Sequence, residues 1–572
     1  MTINKRKPRA GTSLHLPPAV RKWAALAAGA VAIAGCEGVI GEPVGQFARP
    51  GSNNTTGPRT GPDGRFICDD TTYGGPSSAR RLTAREYANA ISDLLGVSPS
   101  ANYPGSYGSS VTGYSTEPGI NTLGEQGVEH VLYAAEEVAE ALAPRLADIL
   151  PCASSAPNDA CVDTFLSTVG RRAFRRTLND EESALLRSLY AAERADGATF
   201  AEAVSVMVAE LLQMPAFLYV VEEPASPGVD RRLSGNELAT RLALLLWDSV
   251  PDDALLDRAE SGELDTKQGV LAEAQRMLED PRSERAVARY FREWTKTAEL
   301  SLASKDAEAF TYLDAQLVSS INESFDRFVV DQVRSGGTLR SLLTTKRTFV
   351  DARLATFMGL SPVSDWTQVE LDATRYSGIM TQPGMLAALA HTSETSYVFR
   401  GKFVRERLMC DKLGAPPGSA MSEFASIPKP PDPTARELSA GVNAKGACTT
   451  CHAALDPPGL AFENFDAMGA YRTGYTSGKP IDTSGTYKSL NGGPEFQFSG
   501  PVDLIEKLSG EPATLDCYAR NIFRFSAARL ETKGDACTIQ QLRDALVASD
   551  GQLDRVLLEA TQSDTFRYRR GD

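Results

Sequence analysis

The chain has 572 residues, 42% of them hydrophobic, and a formal net charge of −14 at pH 7. Loss of residues 1–35, which hold six basic and no acidic side chains, would take the charge to −20. Nucleic acid and an anionic membrane surface would both be repelled, so the charge argues against them as main partners and is compatible with a basic redox protein.

The N-terminus resembles an export signal. A basic stretch from Lys5 to Lys22 precedes an apolar run that ends at Ala34, which suits a signal peptide over residues 1–35 and is short for a membrane span. Ile33-Ala34-Gly35-Cys36 resembles a bacterial lipobox and predicts that Cys36 is lipidated, with the mature protein anchored in the periplasm or at the outer membrane or cell surface by acyl chains alone. The alternative is a soluble secreted protein in which Cys36 is incidental.

Residues 36–75 are rich in Gly, Pro, Asn and Thr, which is typical of a flexible tether. Beyond them, apolar residues three and four positions apart recur along most of the chain. This spacing predicts a mainly α-helical, multi-domain protein. We expect an N-terminal helical domain at 76–160 and two further helical domains at 161–228 and 229–365.

Thr83, Asn179 and Ser234 are each followed three residues later by a Glu, which predicts three helices that begin with a capping box. A pair of arginines precedes each of these positions. Paired guanidinium groups also bind carboxylates or phosphates, so an anion-binding role for the pairs is the alternative.

Six cysteines remain once Cys36 and the CxxC pair at 448 and 451 are set aside, an even number that allows three disulfides in an exported protein. We expect Cys152 to pair with Cys161 across a short loop, and Cys517 with Cys537 between two C-terminal helices. Elimination then pairs Cys68 with Cys410. Buried free thiols are the alternative.

Cys448-Thr449-Thr450-Cys451-His452 has the CxxCH spacing, in which two thiols bond to the haem vinyl groups and the histidine ligates the iron. It predicts a cytochrome c-like haem domain at 375–478 with one covalent haem c. A redox dithiol or half of a zinc site could share the CxxC, but the flanks are proline-rich and no second CxxC or HxxxH follows.

Asp456-Pro457-Pro458-Gly459 follows closely, and a carbonyl in this predicted turn is well placed to accept from His452 Nδ1. Pro457 is therefore counted with the haem site. The alternative is a simple helix terminator.

The sixth iron ligand has no standard source, because no Met follows Met468. His391, at the end of an apolar helix, is our first candidate as a second metal ligand. The runners-up are Met468, Met385, Met409 and Met421. Arg400, Tyr471 and Arg472 could hold the haem propionates, with a helix-end or surface role as the alternative for each.

Residues 479–572 predict a small β-hairpin between about 480 and 500, followed by helices. Nowhere does the sequence contain GxSxG, a P-loop, HExxH or an EF-hand loop.

Several segments resemble one bacterial secreted family, which is assembled from consecutive domains of unknown function and ends in a cytochrome c-like module. They are residues 80–97 (RRLTAREYANAISDLLGV), 165–190, 233–300, 345–360, 400–410, the CxxCH, 456–466, 469–472 and 563–567. The resemblance implies one haem and an association with redox chemistry.

The sequence therefore predicts a lipoprotein that binds one haem c and exchanges electrons with a periplasmic redox partner. One alternative is a haem oxidoreductase, peroxidase-like or oxygen-activating, with an open sixth site. Another is a structural or surface-assembly lipoprotein with an ancillary haem.

Overall fold

The computed structural model describes residues 61, 65–68, 75–106, 110–411, 413, 419, 422–423, 426–428, 430–490 and 492–571. The predicted signal peptide, the lipidation at Cys36, most of the tether and Met421 lie outside the described residues.

Helix dominates the fold, as predicted, and accounts for 57% of the described residues. The strands are β1 (Arg80–Arg81), β2 (Tyr219–Val220), β3 (Asp230–Arg232), β4 (Arg347–Val350), β5 (Thr367–Glu370), β6 (Gly485–Lys488), β7 (Glu495–Phe498) and β8 (Tyr568–Arg570). They form antiparallel pairs: β1 with β2, β3 with β8, β4 with β5, and β6 with β7. The β6–β7 pair is the predicted hairpin.

The chain divides into two compact units. Within the described residues, the first unit comprises 87–104 and 123–218. One face of the helix Glu125–Leu142 supplies its core, with Val131, Val138 and Leu142 at most 3% exposed, as their helical spacing predicts. The helices up to residue 218 are α1 (Ala84–Leu95), α2 (Glu125–Leu142), α3 (Leu146–Ile149), α4 (Cys152–Ser155), α5 (Asp159–Phe165), α6 (Arg171–Phe174), α7 (Asp180–Ala195), α8 (Phe200–Leu211) and α9 (Pro215–Leu218).

The second unit comprises the described residues up to 86, residues 105–122, and residues 219 onward. Trp247 and Trp294 are fully buried in its main core. Its helices are α10 (Gly235–Leu246), α11 (Asp253–Glu260), α12 (Lys267–Glu279), α13 (Ser283–Thr295), α14 (Ala315–Arg334), α15 (Leu339–Thr344), α16 (Ala352–Phe357), α17 (Pro383–Ala388), α18 (Tyr397–Lys402), α19 (Ala435–Asn443), α20 (Gly446–Leu460), α21 (Pro501–Ser509), α22 (Pro512–Ala527), α23 (Ala536–Ala548), α24 (Leu553–Gln562) and α25 (Asp564–Arg567).

Short 3₁₀ and π segments connect some of these helices. The π segments are Leu166–Gly170 and Phe403–Leu408. The 3₁₀ segments are Pro118–Ile120, Ala143–Arg145, Glu263–Asp265, Thr297–Glu299, Leu302–Ser304, Ile379–Thr381 and Lys533–Asp535. Among the described residues, no helix combines the length and the apolar character needed to cross a membrane.

The three predicted capping boxes are confirmed, and each is reinforced by an arginine. Thr83, Asn179 and Ser234 exchange hydrogen bonds with the Glu three residues on. The Arg three residues before each cap donates two hydrogen bonds of 2.7–3.0 Å to the same Glu. The pairs are Arg80–Glu86, Arg176–Glu182 and Arg231–Glu237. These contacts support a structural role for one Arg of each pair.

A fourth copy of this arrangement has Asp in place of Glu, so the sequence pattern of the capping box does not reveal it. Arg529 grips Asp535 with two hydrogen bonds of 2.7 and 2.9 Å, and Thr532 donates its amide to the same carboxylate at 2.7 Å. An Arg, a capping residue three positions on and an acid three further on therefore recur as one local unit.

All six predicted disulfide cysteines are paired, but two of the three predicted pairings are wrong. Cys152 does pair with Cys161. Cys517 pairs with Cys410 rather than Cys537, and Cys537 pairs with Cys68. The partners come from segments 107 and 469 residues apart, so tertiary packing decides the pairing and sequence spacing does not reveal it.

We expect the Arg80–Glu86 pair to contribute stability that depends on pH. Burial would raise the pKa of Glu86, but the charge and hydrogen bonds of Arg80 outweigh it and lower the pKa to about 2. Glu86→Gln should lower the free energy of unfolding at pH 7 by roughly 3 kcal/mol, because the other charge is left without its partner. Because the folded pKa is depressed, this contribution is present above pH 4.5 and is lost as the pH falls towards 2.

Urea unfolding of both proteins between pH 3 and pH 7 measures this difference. Glu202→Gln is the control, because this Glu closes a capping box with Thr199 by hydrogen bonds alone and should change little. A Glu86→Gln effect that stays constant over the whole pH range would contradict the assignment.

The corrected pairing can be checked by mass spectrometry of a proteolytic digest made without reduction. We expect linked peptides that contain Cys410 with Cys517, and Cys68 with Cys537. Peptides that link Cys517 to Cys537 would restore the pairing expected from the sequence.

Candidate functional site

The CxxCH motif lies on the first half of helix α20. Cys448, Cys451 and His452 occupy positions i, i+3 and i+4, so all three side chains lie on one face of the helix. Cys448 is buried, Cys451 is half-buried, and the His452 side chain is 21% exposed. Both sulfurs are free thiols, whereas the six other cysteines of the described chain form disulfides.

His452 is oriented by a carboxylate and not by a turn carbonyl, which corrects the prediction. Its Nδ1 lies 2.8 Å from Oδ1 of Asp456, one helical turn further on. Asp456 is 1% exposed, and its other oxygen accepts from Ser439 Oγ at 2.6 Å and Asn443 Nδ2 at 3.2 Å, both on helix α19. With Nδ1 engaged, Nε2 is the nitrogen available to a metal, since no described residue hydrogen bonds to it.

The Asp456-Pro457-Pro458-Gly459 segment forms no turn, because helix α20 continues through both prolines to Leu460. Pro457 therefore neither begins a turn nor terminates the helix. A proline has no N–H, so Pro457 and Pro458 leave the carbonyls of Ala453 and Ala454 without their helical donors. The helix needs outside donors at this point.

Arg405 supplies such donors. Its Nε and Nη2 donate to the Ala454 carbonyl at 2.9 and 2.7 Å. Nη1 donates to Asp411 at 3.0 Å and to the carbonyl of Lys488 in β6 at 2.8 Å, while the guanidinium lies 4.3 Å from the centre of the Tyr487 ring. Arg405 is 1% exposed and therefore makes these contacts within the core.

Asp411 adjoins the disulfide between Cys410 and Cys517. Burial raises its pKa, and the contact with Arg405 partly offsets that rise. The hydrogen bonds of Arg405 and Asp411 therefore connect the CxxCH helix to the segment that carries the Cys410–Cys517 disulfide.

Helices α18 and α20 are in close antiparallel contact. A Cβ on Gly401 would lie 2.0 Å from the Leu455 carbonyl oxygen, and a Cβ on Gly459 would lie 1.8 Å from that of Tyr397. Only glycine fits at either position. The contact places the first residue of α18 beside the end of α20 that is distant from Cys448.

Arg400 of helix α18 is 1% exposed and serves the main chain. It donates to the carbonyls of Phe462, Phe465 and Asp466 at 2.8–2.9 Å. Burial lowers its pKa to about 10. Its guanidinium thereby fixes the loop that follows α20.

Tyr471 and Arg472 lie beside the same loop. Arg472 pairs with the buried Glu463 at 3.1 Å, and the Tyr471 ring packs edge-on against Phe465 with 5.5 Å between ring centres. The structure thus brings together Arg400, Tyr471 and Arg472. In the described part of the chain, no hydrogen bond or ion pair joins any of them to the CxxCH residues.

His391 lies in an exposed turn before helix α18. Its amide donates to the Glu394 carbonyl, its own carbonyl accepts from Lys305 Nζ at 2.9 Å, and its ring is 5.0 Å from that of Phe399. Burial lowers the pKa of Lys305 to about 8. His391 therefore lies beside Phe399 in the first turn of α18, and no described contact joins it to His452.

The three methionine candidates among the described residues lie in hydrophobic cores. Met468 packs with Leu317 and Ile321, and Met385 is 1% exposed. Met409 is also buried, and its sulfur accepts from Thr514 Oγ1 at 3.4 Å. None of these contacts brings a described methionine to Cys448, Cys451 or His452.

Among the described residues, no group of three or more His, Cys, Asp and Glu side chains could hold a metal ion. Two thiols and one well-oriented imidazole do fit haem c, which carries four nitrogen ligands of its own and needs only the thioethers and an axial ligand from the protein. The residues present therefore fit the group that the motif predicts.

Three residues of the site were missed in the sequence: Asp456 as the partner of His452, Ser439 and Arg405. Asp456 stands four residues after His452, a spacing that carries a signal once the helix is known to continue. Ser439 and Arg405 come from other elements, and no local pattern reveals them.

Five family models match this mainly α-helical, multi-domain chain in series. They are DUF1587 at residues 80–144, DUF1595 at 161–222, DUF1592 at 233–360, DUF1588 at 376–475 and DUF1585 at 495–566, each described as a protein of unknown function. The chain is thus a multi-domain protein assembled from five consecutive domains of unknown function, and the CxxCH lies in its DUF1588 segment. No curated protein and no solved structure matches it significantly.

We expect Arg405→Met to loosen the CxxCH helix. The variant keeps the apolar stem but removes the Arg405 hydrogen bonds to Asp411 and to the Ala454 carbonyl, which should cost roughly 3 kcal/mol of stability. Hydrogen–deuterium exchange of peptides that span residues 448–456 should accelerate. Arg327→Met is the control, because this half-exposed arginine pairs with Glu323 on its own helix, α14. Equal exchange in the two variants would contradict the role of Arg405.

Proposed function

We propose that this protein binds one haem c covalently through Cys448 and Cys451, with His452 as the axial ligand, and exchanges electrons with a redox partner outside the cytoplasm. The observation that carries the proposal is the free Cys448/Cys451 pair beside His452. In a chain whose other described cysteines form disulfides, a thiol pair with CxxCH spacing is best explained by thioether bonds to haem.

The neighbouring residues each have a defined task in this proposal. Asp456 accepts a hydrogen bond from Nδ1 of His452, which would leave Nε2 available to ligate the iron. Arg405 and the glycine contact with α18 hold the helix that carries all three attachment residues. When bound, the haem would supply a reversible one-electron change between Fe(III) and Fe(II).

The compartment and the partner are inferred from disulfides and charge. Three disulfides are consistent with an extracytoplasmic protein, and the signal and lipobox pattern adds a lipid anchor at Cys36. Because this chain has a net charge of −14, electrostatic steering favours a basic redox protein as the partner. The DUF1588 and DUF1585 families are associated with cytochrome c-like domain proteins, which also supports a redox role.

A second function is favoured by the positions of the candidate sixth ligands. His391 contacts Phe399, and the three described methionine candidates are packed in cores elsewhere. A site without a sixth protein ligand would bind a small molecule, so a haem oxidoreductase of the peroxidase-like or oxygen-activating type is the alternative.

Optical spectra of the purified protein distinguish the two functions. An electron carrier should show low-spin, six-coordinate haem, whereas the oxidoreductase should show high-spin haem whose bands shift when cyanide is added. Loss of the low-spin bands in His391→Ala would identify the sixth ligand, and an unchanged spectrum would remove His391 from the site.

Haem attachment itself is tested by a double variant with both thiols replaced, Cys448→Ser and Cys451→Ser. Covalent haem staining on a denaturing gel should disappear, because no thioether can form. Asp482→Asn, at an exposed ion pair, is the control and should stain like the wild type. Equal staining of the double variant and the wild type would overturn the proposed function.

A further inference from the structure

Asp456 is a buried carboxylate with an unusual set of partners. It is 1% exposed, yet in the described part of the chain His452 is the only cationic or potentially cationic side chain within ion-pair distance of it. Its other partners, Ser439 and Asn443, are neutral donors. The nearby guanidinium of Arg405 is paired with a different acid, Asp411.

A buried charge is costly unless an opposite charge or several hydrogen bonds compensate for it. Neutral donors provide part of that compensation. The rest would come from positive charge on the far side of the His452 ring, where Nε2 would ligate the iron of a bound haem. A ferric haem carries one more positive charge than a ferrous haem, so the Asp456 anion favours the ferric state by Coulomb attraction through a low dielectric.

The hydrogen bond acts in the same direction as the charge. A carboxylate that accepts the second N–H of a metal-bound histidine raises the basicity of the ligating nitrogen. A more basic ligand donates more electron density to the iron and stabilises Fe(III) over Fe(II).

We propose that Asp456 is a positioning residue. Its buried negative charge, hydrogen-bonded to Nδ1 of His452, sets a low reduction potential for the haem. This inference rests on the proposed attachment of haem to Cys448 and Cys451. Because the Asp456 charge opposes reduction of the iron, the expected redox partners are proteins that donate or accept electrons at low potential.

Two substitutions should shift the potential in opposite directions. Asp456→Asn keeps an oxygen that can accept from Nδ1 but removes the charge, and it should shift the ferric–ferrous equilibrium towards Fe(II) by at least tenfold, which corresponds to about 59 mV for one electron. Ser439→Ala removes the 2.6 Å hydrogen bond to the other oxygen, leaves Asp456 a stronger acceptor, and should lower the potential.

Spectroelectrochemical titration of the purified haem-loaded protein measures both shifts. Asp482→Asn removes one exposed negative charge and controls for the change in net charge, and its potential should match the wild type. Proton NMR of the ferric proteins adds a second readout, because the exchangeable Nδ1 proton of His452 should move most in Asp456→Asn.

The outcomes separate the two proposals. If the wild-type protein carries no covalent haem, the proposed function and this inference both fail. If haem is attached but Asp456→Asn leaves the potential unchanged, or if both variants shift it in the same direction, this inference alone fails. Movement in the same direction is what a purely structural loosening of the site would produce.

Discussion

Helix α20 contains two prolines, which cannot donate the usual backbone hydrogen bonds within the helix. The rest of the site depends on how these missing hydrogen bonds are replaced. A proline inside a helix usually kinks or ends it. Here the helix continues to Leu460 because Arg405 donates to the Ala454 carbonyl from a neighbouring segment. Asp456 thereby remains one helical turn after His452, in register to accept its Nδ1 proton.

The same constraint explains why the surrounding elements are fixed so firmly. Arg405 can reach Ala454 only if its own segment is held in place, and Asp411 and the neighbouring disulfide hold it. Because Gly401 and Gly459 have no side chains, the backbone of α18 lies in direct contact with the backbone of the proline-containing half of α20. The buried guanidinium of Arg400 then fixes the loop that follows the helix.

Arginine has a comparable structural role far from this site. In the capping units, an Arg grips the acid that also closes the box, as Arg176 does with Glu182. The planar fork of the guanidinium matches the two carboxylate oxygens. Because the acid is already held by the helix N-terminus, the ion pair costs little additional side-chain entropy and fixes the chain entering each helix.

Local patterns predicted what depends on local contacts, namely the helices, the capping boxes at Thr83, Asn179 and Ser234, the β6–β7 hairpin and the short disulfide from Cys152 to Cys161. They did not predict contacts that tertiary packing brings together. The pairing of Cys410 with Cys517 depends on packing between distant segments, as does the bond from Arg405 to Ala454. The run through Pro457 and Pro458 was wrongly expected to be a turn, because the compensating donor comes from another element.

The central claim, that Cys448 and Cys451 carry a haem, is tested most directly by the mass of the proteolytic peptide that contains both residues, isolated from protein secreted by a host competent in cytochrome c maturation. The account predicts a peptide heavier than its sequence by one haem, with neither sulfur available to an alkylating reagent. A peptide of unmodified mass whose two thiols alkylate freely, or whose thiols form a disulfide, would contradict it.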